Sequence, residues 1–177
     1  VIRIQTIRKQ GDGFGFNVRS SVFQSDYNTD LIDQLSFNYR RGKLDVFGNL
    51  DYRLTNDIQE GKLTQSLQSV RLLELNNTLT ATTHSQVLLP TLGANYQFNE
   101  NHSMGVKYTG KALTDYRGTM DAHSKATFDG VLDDDLRTQS TMLYDDYANH
   151  QVNAYYNGTA GKLNIDFNAD WLMQDED

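Results

Sequence analysis

Between Leu44 and Leu54 the side chains alternate in character without a slip. Leu44, Val46, Gly48, Leu50, Tyr52 and Leu54 take one phase; Asp45, Phe47, Asn49, Asp51, Arg53 and Thr55 take the other. Period-two alternation of this length describes one long strand with an apolar face and a mostly polar one. Arg40–Lys43 is a tight polar turn around Gly42, and before it Leu35, Phe37 and Tyr39 alternate with Ser36, Asn38 and Arg40. The unit is a β-hairpin with long arms. Which solvent meets its apolar face decides what the chain does.

The pattern recurs. Phe14, Phe16, Val18, Ser20 and Val22 oppose Asn17, Arg19 and Ser21; Leu92, Ala94, Tyr96 and Phe98 oppose Gly93, Asn95 and Gln97. Met104, Val106 and Tyr108, then His150, Val152, Ala154 and Tyr156, and finally Leu163, Ile165, Phe167, Ala169 and Trp171 continue it. Runs of about ten residues exceed the ~5–6 of an ordinary globular strand. Two stretches read differently. Asn56–Ser85 reads as a long excursion: Leu63, Leu67 and Val70 suit one face of a short helix, while Thr64–Glu74 alternates well enough to extend a hairpin. Leu113–Arg137 reads as a second polar excursion. Pro90 cannot donate to a ladder and is expected at a strand's end or rim. Turns are expected at Ser25–Asp30, Asn99–His102 and Asn157–Ala160. Short turns thus alternate with long connections, the layout of an outer-membrane barrel.

The expected fold class is all-β: an antiparallel meander of long strands forming a partial transmembrane β-barrel. A soluble antiparallel sandwich also has one apolar face, so alternation alone leaves both open. Three features favour lipid. The polar phase carries Asp, Asn and Arg in succession, as a wet lumen would. Tyr39, Tyr96, Phe98, Tyr156 and Trp171 sit near strand ends, where interfacial girdles form. Long connections gather at one end. A net charge of −7 without a basic cluster gives no footprint for nucleic acid. Absence of Cys excludes a disulfide scaffold and thiol chemistry. No run approaches the ~18–20 apolar residues of a membrane helix, which a barrel does not need.

Val1–Lys9 followed by Gly11-Asp12-Gly13-Phe14 resembles the last plug strand and plug-to-barrel crossing of TonB-dependent outer-membrane receptors. Leu35–Arg40, Gly42–Asn49 and Leu92–His102 look like the barrel family common in Bacteroidetes receptors. Ile2-Arg3-Ile4-Gln5 departs from the all-apolar plug strand usual there. The resemblance implies a barrel of about 22 strands with a plugged lumen. Residues 1–12 would be the plug's end and linker, and 13–177 about seven barrel strands. The chain opens inside an alternating run and stops just after another, so we expect a piece of something larger, with open sheet edges. The resemblance further implies active uptake of a small nutrient (siderophore, vitamin, glycan or peptide). Outer-membrane lipid, the chain's own plug domain and a TonB-type energy-transducing protein would be its partners. The alternatives are a soluble secreted β-sandwich acting in binding or adhesion, and a passive porin-type barrel.

Candidate lumen-facing residues are Asp45, Asn49, Asp51, Arg53, Asn164, Asp166, Asn168 and Asp170. No catalytic set stands out, and no enzyme activity, cofactor or metal is expected. Asp166 and Asp170 share a face, but so do all polar residues of a lumen wall. His84, His102, His123 and His150 lack metal-ligand spacing and read as surface or turn residues. Asp133-Asp134-Asp135 and Asp145-Asp146 lack the Gly and Glu placement of an EF-hand and read as solvated acidic loops. Gly11-Asp12-Gly13-Phe14-Gly15 leads into a strand, so it is no phosphate loop. Tyr52, Tyr96 and Tyr156 have the phase of interfacial anchors.

Overall fold

The structure, a computed structural model, describes residues 11–176. The plug-like strand expected over Val1–Lys9 lies outside them. Eight strands follow in order: β1 (Gly13–Gln24), β2 (Thr29–Arg41), β3 (Leu44–Gln68), β4 (Leu72–Asn99), β5 (His102–Phe128), β6 (Val131–Tyr144), β7 (Tyr147–Ala160) and β8 (Leu163–Glu176). All pairings are antiparallel, and the sheet runs β1-β2-β3-β4-β5-β7-β8 with β6 also on β5. The chain is therefore an all-β antiparallel meander. β6 and β7 form one interrupted strand. Tyr116↔Tyr144 and Leu113↔Tyr147 hold a single register along β5, with Asp145 and Asp146 unpaired between them.

Both polar excursions are strand. Asn56–Ser85 extends β3 and β4 into arms of 25 and 28 residues, joined by a three-residue tip, and Leu63 and Leu67 lie in β3 rather than in a helix. Leu113–Arg137 belongs to β5, β6 and the Asp129-Gly130 turn between them. Asp129 and Gly130 both have positive φ, 50° and 79°, the backbone that a two-residue Asp-Gly hairpin turn requires. The connections at this end are thus tall hairpins, not long loops. The turn expected at Asn157–Ala160 falls instead at Gly161-Lys162.

Pro90 lies inside β4, not at its end. It pairs with Leu50 on one side, while β4–β5 pairs stop at Leu88↔Ala112 and resume at Thr91↔Thr109. By the alternation of the ladder, the missing N–H points at Gly110 on β5. A Cβ on Gly110 would lie 3.0 Å from the Pro90 ring, so a glycine there gives the ring room. A central proline costs one ladder bond and is tolerated because its neighbour is small.

Register defines two faces. The first carries Leu44, Val46, Leu50, Tyr52 and Leu54 on β3. Beside them lie Leu35, Phe37 and Tyr39 on β2, Leu88, Leu92, Ala94 and Tyr96 on β4, and Met104, Val106, Tyr108 and Ala112 on β5. Phe14, Phe16 and Val18 extend this apolar band to β1, and Val152, Ala154, Tyr156, Phe167, Ala169 and Trp171 carry it to β8. Between Leu44 and Leu54 no charged residue of β3, β4, β5 or β7 lies on this face. The second face of the same band carries the polar phase.

Above the band, the upper halves of β3, β4 and β5 with β6 stand as a four-stranded flap, and there the polarity reverses. The first face becomes Lys62, Thr78, Thr80, Thr82, Arg117, Asp121, His123 and Arg137; the second gains Leu63, Leu67, Leu75, Leu79, Met120, Phe128 and Leu136. The change falls on a line of irregular backbone. Between His84 and Gln86 β4 advances two residues while β5 advances three, and Asp115 takes φ 57° to fit the extra one. Among the described residues no apolar side chain is buried, and the sheet is a single layer.

The candidate lumen wall

All eight candidate wall residues fall on the second face. Asp45, Asn49, Asp51 and Arg53 lie on β3; Asn164, Asp166, Asn168 and Asp170 lie on β8. They do not converge on one point. Cross-strand rows connect the groups instead: Asp45 pairs with Asn95, Asn95 with Gly105, Gly105 with Tyr155, and Tyr155 with Asn168. The next row holds Phe47, Gly93, Lys107, Asn153 and Asp170.

Amides, more than cations, satisfy the carboxylates. Asn49 Nδ2 donates to Asp51 Oδ2 at 2.9 Å, Asn153 Nδ2 to Asp170 Oδ1 at 2.9 Å, and Asn168 Nδ2 to Asp166 Oδ1 at 3.2 Å. Arg40 Nη2 stands 3.7 Å from Asp45 Oδ2. Tyr155 Oη donates to Asn95 Oδ1 at 2.9 Å and Thr159 Oγ1 to Asn164 Oδ1 at 3.1 Å. Such a surface presents many hydrogen-bonding groups at ordinary strength.

Glycines shape the wall. The Phe47 ring lies where a side chain on Gly93 would be, and Tyr155 does the same over Gly105. Each aromatic therefore lies down on the sheet instead of standing into the space above it. In the sequence Asn95 alternates with Ala94 and Tyr96, and Asn153 and Tyr155 alternate with Val152, Ala154 and Tyr156. Their contacts needed the register between strands distant in sequence.

The four histidines are more engaged than solvated turn residues. His84 Nδ1 is bonded to Asn56 Oδ1 at 2.6 Å, and the Asn56 amide donates to Thr29 O at 2.7 Å. His84 Nε2 lies 3.4 Å from Asp115 Oδ2, and Arg117 Nε is 2.7 Å from Asp115 Oδ1. This chain of contacts runs from β2 to β5 along the line where band meets flap. His123 meets Asp135, and that bond holds the Asp135 carboxyl below its ordinary value. His102 pairs with Tyr156 at 2.7 Å and His150 with Tyr108 at 2.8 Å, both on the apolar face. Asp133–Asp135 lie within β6, whereas Asp145-Asp146 form the strand break, where Asp146 Oδ1 accepts from the Asp115 N–H at 3.0 Å.

At the flap's tip the two hairpins are tied together. Asp129 Oδ1 accepts from the Leu72 N–H and Asp129 Oδ2 from Arg71 Nε, both at 2.9 Å, and Arg71 lies 4.8 Å over the Phe128 ring. The Leu72 N–H first, then Arg71, hold the Asp129 carboxyl below its ordinary value. A depressed carboxyl stabilises the fold above its unfolded pKa and loses that contribution as pH falls through the folded one. We therefore expect the Leu72 amide to exchange faster as pH drops through the lowered Asp129 value, after correction for intrinsic exchange. In the Asp129→Asn chain that acid-linked acceleration disappears.

Comparison of the chain with models of known protein families, with curated proteins and with solved structures finds no match.

Proposed function

We propose that the chain is a sector of an outer-membrane β-barrel wall, in a Bacteroidetes-type TonB-dependent receptor that imports a small nutrient and catalyses no reaction. The apolar band carries the barrel part of this reading. On β3 it is about eleven residues tall, Leu44 to Leu54, free of charge on one face there and on β4 and β5, with Asp33 of β2 entering it near its upper edge beside Tyr52. A tilted strand needs about 9–11 residues to cross the hydrocarbon layer. Three pairs of polar side chains on this face are bonded to each other: Tyr52 to Gln86, Tyr108 to His150, His102 to Tyr156. Pairing of that kind is what a medium without water demands.

A sandwich would need its apolar face covered along the whole strand. Here the apolar face changes sides above the band, as expected where a wall leaves the bilayer and rises into water. The turns at Gly42-Lys43, Glu100-Asn101 and Gly161-Lys162 would be periplasmic, and the flap with its Asp129-Gly130 turn would project outside the cell. Receptor type, plug, energy-transducing partner and nutrient rest on the resemblance carried by Leu35–Arg40, Gly42–Asn49 and Leu92–His102.

The test is accessibility of spin labels in the full chain refolded into lipid nanodiscs. Labels replacing Val46 and Leu92 should be reached by oxygen and shielded from a polar nickel chelate. Labels replacing Asn49 and Thr91 should show the reverse. Chelate reaching both sets equally, or a water-soluble monomer that ignores lipid, sinks the proposal.

A further inference from the structure

From the row of side chains around Lys111 we infer a binding slot on the wall's polar face for an organic carboxylate with an apolar body. One side of the slot is the row Thr109, Gln151, Leu172; the other is Lys111, Asn149, Gln174. The backbone of Gly110, His150 and Met173 forms its floor, and Leu89 closes the β4 end. Its volume is about 580 Å³, and three strand spacings from β4 to β8 make it roughly 14 Å long.

Lys111 sets the charge. Its ammonium lies 5.3 Å over the Tyr147 ring, and among the described residues no carboxylate comes within ion-pair distance of it. Directly across from it are Asn149 and Leu89, neither charged. Elsewhere on this face Arg40 has Asp45 as a neighbour. Lys111 instead offers a cation to whatever enters, and an ammonium flanked by amides and a hydroxyl suits a carboxylate. Leu172 sets the body. It is 71% exposed on the outer strand β8, between Asp170 and Gln174 along that face and beyond the reach of the apolar band on the opposite side. An apolar group lying over Leu172 would remove it from water while its carboxylate, about two strand spacings away, meets Lys111.

The inference deepens the proposed lumen wall and rests on it. Its test uses the full chain in nanodiscs, titrated with 3-phenylpropionate and followed by the side-chain amide resonances of Asn149 and Gln151. Saturable shifts are expected, with a dissociation constant on the order of millimolar for so small a ligand. 3-Phenylpropanol, with the same body and no charge, and acetate, with the charge and no body, should each bind at least about tenfold more weakly. Lys111→Gln should weaken binding about tenfold, Lys111→Arg should largely restore it, and Leu172→Gln should weaken it several-fold. Equal affinity for the alcohol and the acid, unchanged affinity in Lys111→Gln, or no saturable shift would overturn the slot. Spin-label accessibility in the same samples scores insertion separately, so a chain that inserts but does not bind refutes the slot and leaves the wall standing.

Discussion

Replacing Leu50 by arginine should cost the bilayer-inserted chain about 2–4 kcal/mol, the toll of a cation at the lipid midplane of a barrel. Leu50 lies at mid-height of the apolar band, between Leu35 on β2 and Pro90 on β4, with no charged group on its own row of those strands. An arginine there has no short path to water, and its cost is measured in the Asp33→Asn background, because Asp33 lies diagonally across on β2. One residue away, Asn49 points to the other face between Ser36 and Thr91, and Asn49→Arg should cost under about 1 kcal/mol if that face meets the proposed aqueous lumen. Thr82→Arg, on Leu50's face but above the band, should cost equally little, since that face of the flap already carries Arg117 and His123. Denaturant titration in vesicles measures all three. A sheet packed against another protein layer would penalise Leu50→Arg too, but with no dependence on bilayer thickness. Thinner lipids should reduce the membrane penalty, and a cost unchanged by lipid would count against the proposed solvent.

The same reversal of polarity explains what the sequence disclosed and what it hid. In the band, apolar side chains keep one phase from Leu44 to Leu54 and again from Leu163 to Trp171, and those strands were legible from alternation alone. In the flap the leucines of β3 change phase: Leu54 and Ile58 lie on one face, Leu63 and Leu67 on the other. Following one apolar face, a reader therefore loses the strand near Asn56 and finds a helical spacing in Leu63, Leu67 and Val70 instead. β5 adds a second obstacle. Its extra residue at Asp115 shifts the phase by one, so a continuous ribbon resembles an ended strand. A proline in a central strand could not be foreseen either, because its tolerance depends on Gly110, twenty residues away and across a ladder. The eight candidate wall residues were legible as a phase. The slot was not, since Leu89, Lys111, Asn149 and Leu172 come from four strands and only register brings them together.

The aromatic–glycine pairs lead to the second large effect, Gly48→Val. Gly48 is paired directly with Phe37 on the apolar face, and the Phe37 ring folds over it so closely that a new Cβ would meet the ring at Cζ and Cε1. Valine is otherwise well suited to a strand, so its intrinsic preference predicts a gain. Packing predicts a loss: the ring must leave its seat, at about 1–3 kcal/mol for overpacking. A double-mutant cycle separates the two. In the parent, Phe37→Ala should cost about 1–2 kcal/mol by exposing the glycine strip and removing the ring's contacts. Combined with Gly48→Val, the same change should cost far less and could become favourable, because the alanine ends the clash while valine fills the place. A coupling of at least ~1 kcal/mol is expected, as for residues in direct contact. Gly93 and Phe47 repeat the arrangement on the opposite face, where the displaced ring would swing over the polar face instead of the apolar one. The two glycines should thus cost similar stability, yet only Gly93→Val should narrow the space above the polar face. Additive effects at Gly48 and Phe37 would mean that the ring does not rest on the glycine, and the account of how this wall stays thin would fail.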